Sequence, residues 1–315
     1  MISRFIELMT KENAKNKSAE KASFRSGYIA IVGRPNVGKS TLLNRLLGEK
    51  IAIVSPKPQT TRNRITGVRT SAQSQIVFID TPGIHQPHSL MNRRMVETAL
   101  QTLHDVDGVL WLLDARGRVG PEEERIAGNL GGLKTPSLIL LNKIDLVAKG
   151  KLLPLMQRCA ELLPDKEIVP ISALRGEGVP VILETVEQWL PVGPQYFPAG
   201  DFTDQTERFV ASEIIREKIF LLTHEEIPYG VAVTIDEFTE KEEKNLIVIK
   251  ATIITERASH KPILIGKRGS MLKEVGQRAR EELEGLLGCK IFLELFVKVD
   301  RGWTQDPNAL TELGL

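Results

Sequence analysis

Eight consecutive residues constrain this chain more than anything else in it. Gly33-Arg34-Pro35-Asn36-Val37-Gly38-Lys39-Ser40 has the spacing GxxxxGKS; it follows a short apolar run (28–32) and opens an amphipathic stretch (39–47). A glycine-bearing loop between a strand and a helix can turn successive backbone N–H groups inward, and the helix adds its positive N-terminus at the same point. Such a loop suits a polyphosphate. Lys39 is placed to reach the β- and γ-phosphates and the Ser40 hydroxyl to ligate Mg2+, with Thr41 completing the nucleotide-contacting stretch.

The rest of the first half has the form this loop requires. Near-continuous apolar runs at 28–32, 75–79, 108–113, 137–141 and 168–171 read as strands buried on both faces. Amphipathic stretches at 39–47, 89–103, 122–130, 151–163 and 179–189 lie between them as helices. The alternation predicts an α/β P-loop domain of doubly wound, mostly parallel type. Pro191, Gly193, Pro194, Pro198 and Gly200 then mark a linker. Beyond it the order becomes α-β-β-α-α-β: a helix at 204–222, strands at 229–238 and 246–255, two helical segments flanking Gly266 and Gly269, and a strand at 291–299. That is a smaller α+β domain. The division predicted is a tail at 1–26, a nucleotide-binding domain at 27–192, a linker at 193–203, a second domain at 204–303 and a tail at 304–315.

Two further motifs specify the base and the switch. Asn142-Lys143-Ile144-Asp145 ends the run 137–141. A carboxylate at Asp145 accepts both N1–H and N2–H of guanine, a donor pair that adenine lacks, so ATP would leave a buried carboxylate unpaired. Asn142 can bond the purine at N7 or O6, and the Lys143 stem can cover the base face. Ser172-Ala173-Leu174 follows the last strand and offers a backbone amide to guanine O6. Asp80-Thr81-Pro82-Gly83 ends the strand at 75–79: Asp80 can hold Mg2+ through a water, and the Gly83 N–H can bond the γ-phosphate and swing away after hydrolysis. The polar stretch 55–64, between the phosphate loop and Asp80, is expected to be poorly packed, ordered only by metal and phosphate. Thr61 is its expected Mg2+ ligand, with Thr60 the alternative. The position after Gly83 holds Ile84, followed by His85 and Gln86; Ile84 cannot orient water by hydrogen bonding, and His85 is a candidate that can. Catalysis is therefore assigned to Lys39, Thr61 and Gly83 with Mg2+, and intrinsic hydrolysis is expected to be slow.

Net charge is only +2, so a nucleic-acid site has to come from local clustering. Ile265-Gly266-Lys267-Arg268-Gly269 supplies one, a GxxG loop between helices where glycines admit a sugar-phosphate backbone and Lys267 and Arg268 add charge. Lys261 and Lys273 extend it, with His260, Arg278 and Arg280 nearby. Other basic residues are expected to pair with Glu274, Glu281 or Glu282 on a solvated face, and Trp303 to be a packed anchor. The two cysteines, Cys159 and Cys289, read as buried reduced thiols, and no apolar run is long enough to span a membrane.

Together GRPNVGKSTLLN, SPKPQTTRNRITG, DTPGIH, NKID and HKPILIGKRGSMLKEVGQRAR resemble the Era GTPases, ribosome-assembly factors, across residues 27–306. The resemblance implies a type II KH domain for the second half, GTP/GDP and Mg2+ as ligands, and the 3′ region of small-subunit (16S) rRNA in the maturing 30S particle as partner. It also implies that Asn36 is a candidate K+ ligand. A monomer in the cytoplasm is expected. The competing reading is a peripheral membrane or cell-cycle GTP-binding protein attached weakly through its Lys-rich tail, with nucleotide as a structural ligand.

Overall fold

The computed structural model describes residues 23–315; residues 1–22, most of the tail expected at 1–26, lie outside the described residues. β1 (Arg25–Gly33), β3 (Ser74–Asp80), β4 (Gly108–Asp114), β5 (Ser137–Asn142) and β6 (Ile168–Pro170) run parallel, and β2 (Ile65–Thr70) pairs antiparallel with β3 at the edge. The order is β2-β3-β1-β4-β5-β6. β2 is absent from the strands expected above. Its sequence ITGVRT is half polar and reads as loop; cross-strand pairing with β3 makes it a strand.

Helices α1 (Lys39–Leu47), α2 (Leu90–Thr102), α3 (Pro121–Gly131), α4 (Leu152–Leu162) and α5 (Val179–Trp189) cover both faces. The two-residue period of β1 divides the core. Ile29 and Ile31 pack with Leu42 and Leu46 of α1 and Ile182 of α5. Ala30 and Val32 pack with Val96 of α2 and Ile126 of α3. The stretch 193–203 does not hang free as a linker. The Tyr196 and Phe197 N–H groups donate to Gln75 Oε1 at 2.7 and 3.0 Å, and Val68 N–H donates to the Phe202 carbonyl at 2.8 Å. This segment covers the open edge of β2, where bare backbone would invite association.

The second domain has the expected order: α6 (Glu207–Leu222), β7 (Val231–Lys241), β8 (Leu246–Thr255), α7 (His260–Ile265), α8 (Ser270–Leu287) and β9 (Lys290–Val299). β7 is antiparallel and β9 parallel to the central β8. The stretch 304–315 is no loose tail. It forms α9 (Pro307–Glu312), whose fully buried Leu310 joins Met91 and Met95 of α2, Ala232 of β7 and Trp303 in a small core between the domains. Three leucines in a six-residue helix and its exit are too short a pattern to announce this from sequence. Cys159 is buried as expected, whereas Cys289 is only partly covered.

Candidate functional site

A cleft of about 450 Å3 opens beside the C-terminal end of β1, whose neighbours β3 and β4 leave it on opposite sides. That is a topological switch point, where open α/β sheets bind their ligands. The loop Gly33–Ser40 forms one wall: Pro35, Asn36, Gly38, Lys39, Ser40 and Thr41 line it. Gly38 has φ +104°, and a Cβ there would lie 2.3 Å from Asn142 Nδ2, so only glycine fits. Lys39 is buried, with its ammonium on the Arg34 carbonyl at 3.1 Å. Burial brings its pKa down to about 8, against the opposing pull of Asp80.

Below the loop three oxygens converge. Ser40 Oγ lies 2.6 Å from Asp80 Oδ2 and 2.8 Å from Thr61 Oγ1, and Thr61 Oγ1 lies 3.4 Å from the same carboxylate. Burial pushes Asp80 up to about 6 despite Lys39, Ser40 and Thr61, which lower it. Its other oxygen, Oδ1, is buried with no partner. Two hydroxyls around a carboxylate with an unsatisfied oxygen fit a hard cation that takes oxygen ligands, as Mg2+ does. Thr60, which also lines the cleft, donates its hydroxyl to the Lys57 carbonyl at 2.7 Å. Gly83 abuts the phosphate loop: a Cβ there would lie 2.6 Å from the Pro35 nitrogen. Ile84 is buried in the core, and His85 Nδ1 is bound to the Gly83 carbonyl at 2.8 Å. Neither lines the cleft.

Beyond the phosphate loop stand the NKID residues and the Ser172–Leu174 loop. Asp145 is nearly buried, and its Oδ1 accepts from Ser172 Oγ at 2.7 Å. Asn142, expected at the purine, also holds protein groups. Its Nδ2 donates to the Val37 carbonyl at 2.7 Å and its Oδ1 accepts from Ala173 N–H at 2.9 Å, so it braces the phosphate loop against the loop after β6. With the Ala173 amide used in this way, Leu174 N–H is the candidate donor to O6. Lys143 sits over the cleft, fixed by Asp114 Oδ2 at 2.8 Å. Burial works to raise Asp114, but hydrogen bonds from Arg116 and Lys143 outweigh it and hold the carboxyl at about 2. Sequence reasoning missed Asp114, Arg116 and Arg45; Arg45 Nε donates to the Ala173 carbonyl at 3.2 Å. None of the three belongs to a spaced motif.

The stretch 55–64 contradicts the expectation of a poorly packed loop. Thr60, Thr61 and Arg62 are buried. Arg216 of α6 donates to the Thr60 carbonyl at 2.5 Å, Lys57 donates to the Phe220 and Thr223 carbonyls at the end of α6, and Val54 N–H donates to Glu217 Oε1 at 2.9 Å. The second domain packs this loop.

The GxxG loop faces solvent. Lys267 and Arg268 are exposed, Arg268 and Gly269 lie in the left-handed region (φ +53° and +80°), and nothing stands within 4 Å of a Cβ on Gly269. Gly266 has φ +76°, and a Cβ there would meet the Met271 nitrogen at 2.6 Å, which explains the first glycine. A groove of about 460 Å3 starts at Gly269 and runs between α8 and β9, lined by Leu272, Lys273, Arg280, Leu293 and Leu295. An apolar floor with basic rims at a GxxG loop suits single-stranded nucleic acid. Lys261 is half-buried and does not line the groove. Arg278 pairs with Glu274 at 2.6 Å, as expected of a solvated face. Glu282 instead pairs with Lys50 of the first domain at 2.6 Å.

A P-loop cleft followed by an NKID loop, joined to a GxxG module, defines a GTPase fused to a KH domain. Residues 28–143 match the family model described as 50S ribosome-binding GTPase, and residues 226–304 match the KH domain model. GTPase Era of Syntrophus aciditrophicus is 55% identical over 291 residues, covering 92% of this chain and 95% of the relative. GTPase Era of Geobacter metallireducens is 53% identical, covering 92% and 98%. An Era crystallised with MgGDPNP and nucleotides 1506–1542 of 16S ribosomal RNA superposes with a TM-score of 0.89 at 44% identity, over 92% of this chain and 99% of that one. An Aquifex aeolicus Era variant bound to GDP·AlF4− gives the same values. The chain belongs to the Era GTPase family.

Proposed function

We propose that this protein hydrolyses GTP to time its hold on the 3′ region of 16S rRNA during 30S assembly. The convergence of Ser40, Thr61 and Asp80 beneath the phosphate loop, beside a cleft that Lys143 and Leu146 line on either side of Asp145, carries the reading. Lys39 and the backbone N–H groups of the loop bind the β- and γ-phosphates, and Asp145 with Leu174 N–H reads guanine. Ser40 and Thr61 hold Mg2+, with Asp80 behind them. When bound, Mg2+ neutralises charge on the β- and γ-phosphate oxygens. With Ile84 in the core and His85 tied to its own loop, neither of the two side chains directly after Gly83 is placed to position water. Hydrolysis then depends on Lys39, Thr61 and the Gly83 N–H, and is slow without help. Asn36 Nδ2 donates to the Pro56 carbonyl at 2.8 Å, so a K+ ion held by Asn36 would take the amide oxygen, Oδ1, as its ligand.

The KH groove takes the RNA, with Gly266, Lys267, Arg268 and Gly269 on the backbone and Lys273 at the rim. The solved relative bound to 16S nucleotides 1506–1542 supports this partner. No helix among the described residues is long and apolar enough to cross a membrane; residence in the cytoplasm is the corresponding proposal, and liposome flotation of the full chain tests any peripheral contact. The function is tested by measuring GTP turnover with and without Mg2+ and the affinity for 16S 3′ RNA in the GTP- and GDP-bound forms. Absence of Mg2+-dependent GTP turnover, or equal RNA affinity in both forms, refutes it.

A further inference from the structure

We propose that Arg62 is a positioning residue for GTP hydrolysis: anchored in the KH module, it holds the preceding Thr61 at the Mg2+ position, so the RNA-binding domain shapes the phosphate site from outside. The inference rests on the GTPase reading above and gives a role to Arg62, which lies in the SPKPQTTRNRITG stretch but makes no contact with the metal or nucleotide position. Arg62 is 5% exposed, and every hydrogen bond it makes crosses the domain boundary. Its guanidinium donates to the carbonyls of Val231 (2.6 Å), Tyr229 (2.9 Å) and Pro228 (3.1 Å). Its faces meet Phe220 of α6 and Trp303 beyond β9, each with its ring centre 5.8 Å away. Three separate segments of the second domain therefore fix one side chain of the first.

The neighbouring residue points the other way. Thr61 Oγ1 reaches Ser40 Oγ at 2.8 Å, so the backbone between residues 61 and 62 joins the metal position to the domain interface. Arg216 fastens the same segment by its bond to the Thr60 carbonyl. The arrangement is a poor way to gain stability. Arg62 is a buried cation without a carboxylate of its own; Glu213, the acid of this cluster, is taken in a fork by Arg216 at 2.7 and 2.5 Å. Arg62 Nε is buried and unpaired. Buried charges satisfied in this incomplete way cost stability relative to apolar packing. What the contacts do provide is a fixed register between Thr61 and the KH module. GDP has no γ-phosphate for this loop to close on, so the anchor should matter for turnover and for the GTP form far more than for GDP binding.

The test uses the full chain carrying Arg62→Ala, Arg62→Lys or Lys57→Ala. The last removes a partly exposed contact to the end of α6 and spares the core. The readouts are kcat and KM for GTP, the Mg2+ concentration giving half-maximal turnover, GDP affinity, and affinity for 16S 3′ RNA in both nucleotide forms. Arg62→Ala should lower kcat about tenfold or more, raise the Mg2+ requirement, leave GDP affinity within about twofold, and bring the RNA affinities of the GTP and GDP forms towards equality. Arg62→Lys should recover part of the kcat, because an ammonium can still donate to these carbonyls. Unchanged kcat and Mg2+ dependence in Arg62→Ala overturns the proposal, as does a fall in kcat matched by an equal loss of GDP affinity. If Arg62→Ala does not fold, Lys57→Ala decides: a lowered kcat with normal GDP binding supports the anchor, and wild-type kinetics refutes it. Wild-type protein without GTP turnover would refute the functional reading instead, so the two failures are distinguishable.

Discussion

Replacing Asp145 by asparagine should move the base preference from guanine to xanthine, and the structure sets the size of the effect. The Asp145 side chain is 5% exposed, so water cannot substitute for a lost partner. Its Oδ1 accepts from Ser172 Oγ at 2.7 Å. In Asp145→Asn the amide oxygen keeps that bond, which turns the –NH2 group towards the base where Oδ2 had been. Guanine then loses two charge-assisted bonds, each worth about 1.5–3 kcal/mol, and meets a donor with its own 2-amino donor. A loss of about 3–6 kcal/mol corresponds to a weakening on the order of 10^2–10^4-fold. Xanthine carries a carbonyl at C2 and can accept from the new –NH2. Fluorescence titrations with labelled GDP, XDP and ADP measure the change, and thermal unfolding checks that the variant folds. GDP affinity retained within about tenfold of wild type, or GDP and XDP weakened alike in a folded protein, would show that Asp145 does not read the base.

Charge reversal at Lys267 and Arg268 should weaken binding of 16S 3′ RNA and lower the slope of log affinity against log salt by about one for each phosphate contact removed, with GTP turnover in the absence of RNA unchanged; a salt series on wild type and variant measures it. Asp80, raised by burial to about 6, binds its proton more tightly folded than unfolded, so it contributes stability below its ordinary pKa that is lost as pH rises through about 6. Nucleotide-free wild type should therefore lose stability relative to Asp80→Asn between pH 4 and pH 7, and paired thermal melts with the opposite trend would refute this. Leu310→Ala, at a fully buried site between the domains, should cost about 2–5 kcal/mol, seen as a lower Tm or as a separate early transition.

The parts of the molecule legible in the sequence are those whose cause is local. The apolar runs of β1, β4 and β5 are buried on both faces, and α1 and α5 have the bounds that their periodicity announces. Gly38 and Gly266 are required by positive φ and by close neighbours, so their spacing is itself the signal. Asn142 shows where this kind of reading weakens. Its position in NKID is plain, but its amide braces two protein loops, a fact set by Val37 and Ala173, which are remote in sequence. The interface is the extreme case. SPKPQTTRNR looks like a solvated loop because proline, glutamine, threonine and arginine usually are solvated; here Thr60, Thr61 and Arg62 are buried because a second domain covers them. Lys50 meets Glu217 at 2.9 Å and Glu282 at 2.6 Å by the same docking, and Met91 and Met95 find Leu310 and Trp303. Each pair is ordinary chemistry, but no periodicity joins residues so far apart along the chain. The motifs thus give the chemistry of each domain separately. The coupling between them lies in side chains that sequence would assign to water, and for that reason substitutions at Arg62 and Lys57 are more informative about mechanism than further substitutions within the phosphate loop.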